Sequence, residues 1–398
     1  MTKRMRQGAV ATAALLLGTA AACTGPESTS APDRPPRQGS MAPSAAGGAP
    51  PQRGFTLVAS GDVLPHDSVI DRANDDGGGD DYDFRPMFAS VKPAVSGADV
   101  AICHMETVYA EEDGPFSGYP TFNSPPQIAQ GLRDTGYDSC STASNHTLDD
   151  GAPGVRRTLD ALDKAGVGHA GSARSAAEAT RPALMTAGGA RIAQLAYTFD
   201  TNGIPLPDGQ PWAVGLIDER KIVADARAAR KAGADVVVVS VHWGTEWETE
   251  PDAEQRSLGR KLTASRTGGR PDIDLILGTH AHVPQAYEKV NGTWIIYGMG
   301  DQVSGTMTND AGELDSRGNE GSIGRFTFAP PAVKGERWLV KKAEFIPQVM
   351  DLGSGRVINL PEALRQDPDR DDYREAQSDI SDAVLGRGAA EDGLTMGR

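Results

Sequence analysis

Apolar residues recur along the chain in short runs of strand length, at 55–60, 99–103, 139–143, 192–197, 236–241, 273–277 and 294–297. Several runs are continuous, as in Val-Val-Val-Val-Ser-Val at 236–241. A strand buried on one face alternates apolar and polar residues, so a continuous run predicts a strand covered on both faces. Helical spacing fills the gaps. Over 153–165, Val155, Leu159 and Leu162 share one face. Over 218–232 the segment opens on acidic residues and closes on Arg230, Lys231 and Gly233, which suits the helix dipole and a glycine stop. Strands alternating with helices predict a layered α/β fold. After residue 320 the pattern changes: 325–329 and 338–349 read as antiparallel strands that complete a second sheet packed on the first. From about 360 the chain turns polar and acidic. A weak helix or disorder is expected there, as an acidic C-terminal tail over 361–398.

The first 53 residues follow a different logic. Lys3, Arg4 and Arg6 precede an apolar stretch containing Leu15-Leu16-Leu17, then the small residues Ala20-Ala21-Ala22, then Cys23. This layout predicts a signal peptide over 1–22 and export. A cysteine directly after the small residues resembles a bacterial lipobox, which implies lipidation of Cys23 and a membrane anchor on the extracytoplasmic face. Residues 23–53 are rich in Pro, Ser, Ala and Gly and read as a disordered stalk. The folded domain is expected over 54–360. No apolar run reaches the ~18 residues of a membrane span.

Charge then narrows the partners. The chain of 398 residues has a net charge of −15. Beyond residue 53 there are 33 basic against 52 acidic residues, a net −19. Nucleic-acid binding needs a basic face, so it is excluded as a function class. An acidic body also repels a polyanion at long range, although salt screens this beyond roughly 8–10 Å. Cys103 and Cys140 form a pair that an exported protein can bridge, or they are two reduced core thiols.

The chemistry-bearing residues stand after the apolar runs, the edge where open α/β sheets bind ligands. Five of the seven histidines fall there: His104, His146, His242, His280 and His282. With Asp62, Glu106 and Asn145 beside them and no cysteine at these positions, the donor set suits a borderline divalent ion such as Mn²⁺, Zn²⁺ or Fe. A bridging carboxylate would let one cluster hold two ions. His66 reads as a loop residue and His169 as structural. Trp243 and Trp247 either stack on a substrate ring or pack the core. The acidic run from Asp71 to Asp83 reads as a solvated loop.

The motifs Gly61-Asp62, Glu106, Asn145-His146-x-x-Asp149-x-Gly151, His242-Trp243-Gly244-x-Glu246, Gly278-x-His280-x-His282 and Tyr297-x-x-Gly300-Asp301 occur in that order. Together they resemble the CapA (poly-γ-glutamate capsule synthesis, PGA_cap) family of the calcineurin-like metallophosphoesterase superfamily, over about residues 55–305. The resemblance implies a four-layer α/β/β/α sandwich. It implies metal ligands at Asp62, Glu106, Asn145, His242, His280 and His282, with Glu106 bridging and one or two divalent ions bound. It implies His146 as general acid, which Asp149 is placed to orient. Val63-Leu64 follow Asp62 where phosphoesterases have x-His, which removes one donor from the first site. His104 and Asp301 stand where the family carries Asn; His104 is an extra ligand or a substrate contact, and Asp301 and Glu246 are candidate substrate contacts.

The function so implied is metal-assisted hydrolysis or transfer at a phosphoryl or acyl centre, serving capsule or another envelope polymer. The partners implied are an envelope polymer or peptide, the membrane through the N-terminal lipid, and capsule-synthesis membrane proteins. Two alternatives use the same residues: a metal-dependent peptide epimerase, and a non-catalytic polymer-binding assembly subunit.

Overall fold

The computed structural model describes residues 52–309, 311–333 and 335–398. The signal peptide, nearly all of the stalk, and Cys23 lie outside the described residues. The chain runs β1 (Phe55–Val63), α1 (Asp67–Asp76), α2 (Lys92–Ser96), β2 (Val100–Met105), α3 (Ile128–Thr135), β3 (Ser139–Ser141), α4 (Gly151–Ala165) and β4 (Gly168–Ala170). It continues through α5 (Ala176–Ala179), β5 (Ala183–Ala187), β6 (Ala190–Thr198), α6 (Glu219–Lys231), β7 (Val236–His242), α7 (Ala253–Ala264) and a small hairpin, β8 (Arg266–Thr267) and β9 (Arg270–Pro271). Then come β10 (Leu275–Thr279), β11 (Tyr287–Val290), β12 (Thr293–Ile296), β13 (Asp301–Val303), β14 (Glu320–Ala329), β15 (Leu339–Asp351) and β16 (Arg356–Asn359). The chain closes with α8 (Leu360–Gln366), α9 (Asp371–Leu385) and β17 (Leu394–Met396).

Two sheets carry the fold. The first has the order β16-β15-β14-β1-β2-β3-β4, with β13 added beside β1 and β17 beside β15; the second has the order β11-β12-β10-β7-β6-β5. The continuous apolar runs are covered on both faces. In β7, Val236 and Val238 face the first sheet, among Leu57, Ile102 and Phe326. Val237, Val239 and Val241 face away, among Ile222 and Ala226 of α6 and Leu262 of α7. In β1, Leu57 and Ala59 face the second sheet. Val58 faces the outer helices, with Val69 of α1, Val95 of α2, Leu132 of α3 and Leu159 of α4. The layers are therefore α/β/β/α. Each fully buried Val or Leu contributes roughly 1.5–3 kcal/mol, so this double coverage supplies much of the driving force.

The two helices legible in the sequence form with shifted ends. The first begins at Gly151 rather than 153. The second has Asp218 as N-cap, its side chain accepting from the Lys221 amide, and Gly233 at φ +93° just past its end.

Three expectations change. The late strands do not complete the second sheet: β14 pairs antiparallel with β1 and so extends the first. The acidic tail expected over 361–398 is folded. Tyr373, Ala376, Ile380 and Val384 recur at helical spacing along α9 and pack into the core between the sheets, and β17 pairs parallel with β15. Half of the acidic run is helix α1, whose Asp76 is bound by Arg356 at 2.8 and 2.9 Å. Cys103 and Cys140 lie opposite each other in the β2–β3 ladder and form a disulfide. Among the described residues no helix is long and apolar enough to cross a membrane.

Candidate metal centre

The C-terminal ends of both sheets meet at one buried cluster. The first sheet contributes Asp62 on β1, His104 on β2, Glu106 directly after it, and Asn145 in the loop after β3. The second contributes His242 at the end of β7, and His280 and His282 in the loop after β10. All seven are nearly fully buried. The backbone N–H of His280 donates to Asp62 Oδ2 at 3.1 Å, which ties the second sheet's loop to the first sheet's carboxylate.

Local geometry aims these side chains. His280 and His282 sit at φ +95° and +59°, in the left-handed region that costs a non-glycine residue roughly 1–3 kcal/mol. Gly278 lets that loop leave the strand closely packed: a Cβ there would stand 2.0 Å from the Tyr297 carbonyl oxygen.

His242 Nε2 lies 2.8 Å from Asn145 Oδ1 and 3.7 Å from Glu106 Oε1. Three overlapping groups bring one ligand atom each within 4.8 Å of one another: Asp62, Glu106 and His282; Asp62, His104 and His242; and Glu246, His280 and His282. Asp62 Oδ1, both Glu106 oxygens, His104 Nε2 and His280 Nδ1 are buried with no hydrogen-bond partner among the described residues. Unpaired buried acceptors are costly, and a divalent cation is the ligand that satisfies carboxylate and imidazole lone pairs together. This donor set fits one or two metal ions.

Electrostatics agree. Burial, and then the Asp301 carboxylate, push Asp62 up to about 8. Burial, and then Asp62, hold Glu106 well above its ordinary range. Burial pushes His104 down to about 3, and burial followed by neighbouring imidazoles holds His242 and His280 far down. Burial alone would lower His282 too, but the Asp301, Glu106 and Asp62 carboxylates hold it well above its ordinary value. A bound cation would release the protons held on Asp62, Glu106 and His282 and preserve the neutral imidazoles of His104, His242 and His280.

Beside the cluster, Asp149 Oδ2 accepts from His146 Nδ1 at 2.7 Å and from the Phe122 amide at 2.7 Å. The carboxylate thus fixes the proton on Nδ1 and leaves Nε2 as the reactive nitrogen. The Phe122 ring meets the His146 ring edge-on at 4.7 Å.

The three candidate substrate contacts separate. Glu246 is at the rim, partly exposed, 3.9 Å from His280 Nε2. His104 is buried against Asp62, at 3.6 Å from its Oδ1. Asp301 is buried behind His282, bound to its Nδ1 at 3.0 Å. Neither of these two presents a face to a substrate. Trp243 is a core residue, its Nε1 donating to the Tyr297 carbonyl. Trp247 packs with Leu64, Phe122 and Met307 at the rim. His66 stands at the N-cap position of α1 without a side-chain cap, its Nδ1 accepting from the Gly305 amide, and His169 pairs with Asp163 at 3.3 Å.

Sequence reasoning missed Phe199. It is 46% exposed, yet its ring lies 4.4 Å from that of His280. It follows the end of β6 in an irregular segment, and only the sheet's register, Thr198 beside His242, brings it to the site.

The model of the family described as bacterial capsule synthesis protein PGA_cap matches residues 56–306. The chain is 29% identical over 203 residues to the PGA biosynthesis protein CapA of Bacillus subtilis, covering 50% of this chain and 52% of that protein. It is 29% identical over 221 residues to a probable polyglutamine synthesis accessory protein of Mycobacterium tuberculosis, covering 52% and 55%. The chain spans about half the length of the curated relatives it matches. Among solved structures it is similar to the calcineurin-like phosphoesterase YfkN of Bacillus subtilis, at 14% identity and TM-score 0.42, covering 82% of this chain and 100% of that one.

Proposed function

This chain belongs to the bacterial capsule synthesis protein family PGA_cap, and from that premise we propose that it is a metal-dependent enzyme acting on a capsule or poly-γ-glutamate-type envelope polymer. The observation that carries this reading is the convergence of unpaired buried donors from both sheets on one point.

Asn145, His242, His280 and Glu106 would hold one divalent ion; Asp62, Glu106 and His282 would hold a second, with Glu106 shared. Bound there, the ions would polarise a phosphoryl or acyl centre and supply a nucleophile at neutral pH. The chain's own residues do the rest. His146 delivers a proton from Nε2 to the leaving group while Asp149 holds Nδ1–H and stabilises the imidazolium. Phe199 beside His280 and Trp247 beside His282 border the site. His282 is kept in one orientation by Asp301.

The reading includes export, by the signal peptide over 1–22, and anchoring through Cys23 and the stalk to the extracytoplasmic face of the membrane. A disulfide in the first sheet suits that oxidising compartment. Partners would be the polymer and capsule-synthesis membrane proteins.

The test is a screen of the Mn²⁺- and Zn²⁺-loaded full chain against phosphoesters, γ-glutamyl polymers and peptides. Product release that disappears in His242→Ala supports the proposal. Turnover unaffected by chelation and by His242→Ala overturns it.

A further inference from the structure

The loop after β1 offers the site no donor. Val63, Leu64 and Pro65 follow Asp62, and Leu64 is buried with Phe122 and Met307. On the other side of Asp62 stands His104, at the facing register position of the parallel β1–β2 pair. Its Nδ1 lies 2.7 Å from Ser141 Oγ, on the next strand of the same sheet. The Ser141 hydroxyl in turn donates to the Cys103 carbonyl at 3.4 Å, so its oxygen takes the proton on His104 Nδ1. That leaves a lone pair on Nε2.

Nε2 lies 3.6 Å from Asp62 Oδ1. This is too long for a hydrogen bond, and both atoms are buried with no hydrogen-bond partner among the described residues. At that separation neither atom satisfies the other, whereas a cation between them would satisfy both. Donors that share an ion at about 2.1 Å each stand no more than about 4.2 Å apart, so 3.6 Å qualifies. The position is rigid. The Cys103–Cys140 disulfide joins β2 to β3 one residue before both His104 and Ser141. His104 is also stacked at 4.7 Å on the His242 ring.

We propose that His104 is a ligand of the ion held by Asp62, with Ser141 as the positioning residue that sets its tautomer. The inference rests on the metal-site reading above and adds a protein donor beside Asp62, where Asp62, His104 and His242 bring one ligand atom each within 4.8 Å of one another. Of the two roles open to His104, ligand and substrate contact, it selects the ligand.

The experiment is equilibrium dialysis of the full chain against Mn²⁺ with elemental analysis, repeated on His104→Gln and Ser141→Ala. Thermal melts in EDTA check that each variant folds. Wild type is expected to take up two ions. His104→Gln is expected to keep one and to bind the other at least tenfold more weakly, and Ser141→Ala to weaken that same ion by a smaller factor. Folded His104→Gln with wild-type affinity for every ion overturns the proposal. If that variant does not fold, unchanged affinity in Ser141→Ala overturns it. A wild-type chain that binds no ion refutes the underlying metal reading instead.

Discussion

His282 Nδ1 lies 3.0 Å from Asp301 Oδ1, in a contact where both side chains are buried. Asp301 stands on β13 beside Asp62 of β1, so one strand pairing positions a ligand carboxylate and the carboxylate that orients a ligand imidazole. The carboxylate on Nδ1 directs Nε2 of His282 towards Asp62 and Glu106. Carboxylates placed behind metal-binding imidazoles raise ligand basicity and fix ring orientation, and their loss typically costs 10–100-fold in affinity or activity. Asp301→Asn should therefore weaken metal binding about 10–100-fold while the protein stays folded, as read by Mn²⁺ titration and thermal melting.

His146 and Asp149 are expected to act on proton transfer and not on metal uptake. His146→Asn should lower turnover about 10²–10⁴-fold, the usual range for a lost general acid. Asp149→Asn should lower it less. Elemental analysis should find both variants with wild-type metal content.

Gly278 makes a backbone approach that no side chain fits, since its Cβ would meet the Tyr297 carbonyl oxygen at 2.0 Å and that of Ile296 at 2.6 Å. Gly278→Ala must separate β10 from β12 beside the histidine loop. A loss of about 2–4 kcal/mol is expected, at the high end of single substitutions, with metal affinity lost in parallel. A wild-type melting temperature would contradict this.

The disulfide closes a loop of 37 residues. Chain entropy alone gives it about 3–4 kcal/mol. The double variant Cys103→Ala, Cys140→Ala should lose that much in denaturant unfolding and should loosen the strands that hold His104 and Ser141.

Glu320 provides a pH signature away from the metal centre. Burial, and then the Asp379 carboxylate of α9, push it up to about 8 from an ordinary 4.5. Between those values the folded state holds a proton that the unfolded state has lost, so this group makes stability fall as pH rises from about 4.5 to 8. Glu320→Gln should flatten the dependence of unfolding free energy on pH in that window. An unchanged slope would count against it.

The sequence exposed the frame of the fold because buried central strands are continuous apolar runs, as in β7 and β10. The short strands β4, β13 and β17 carry no period, and only neighbouring strands define them. An apolar pattern states that a face is buried without naming its partner, so the sheet to which the late strands belong is not legible in it; the ladder from Phe55 to Phe328 settles that. Helix α9 is obscured because its four buried apolar positions are diluted among acidic ones. At the centre, residue type and order led to Asp62, Glu106, Asn145 and the histidines. The place of Asp301 behind His282, of His104 against Asp62 and of Phe199 over His280 are tertiary facts with no local signal.

The central claim is that the buried donors joining the two sheets hold divalent metal. The most direct measurement is elemental analysis of the purified full chain after dialysis against Mn²⁺ or Zn²⁺, with His242→Ala and Asp62→Asn measured beside it. The account predicts two ions per wild-type chain and the loss of at least one in each variant. A folded wild-type chain that retains no ion, or variants that retain as many as wild type, would contradict it.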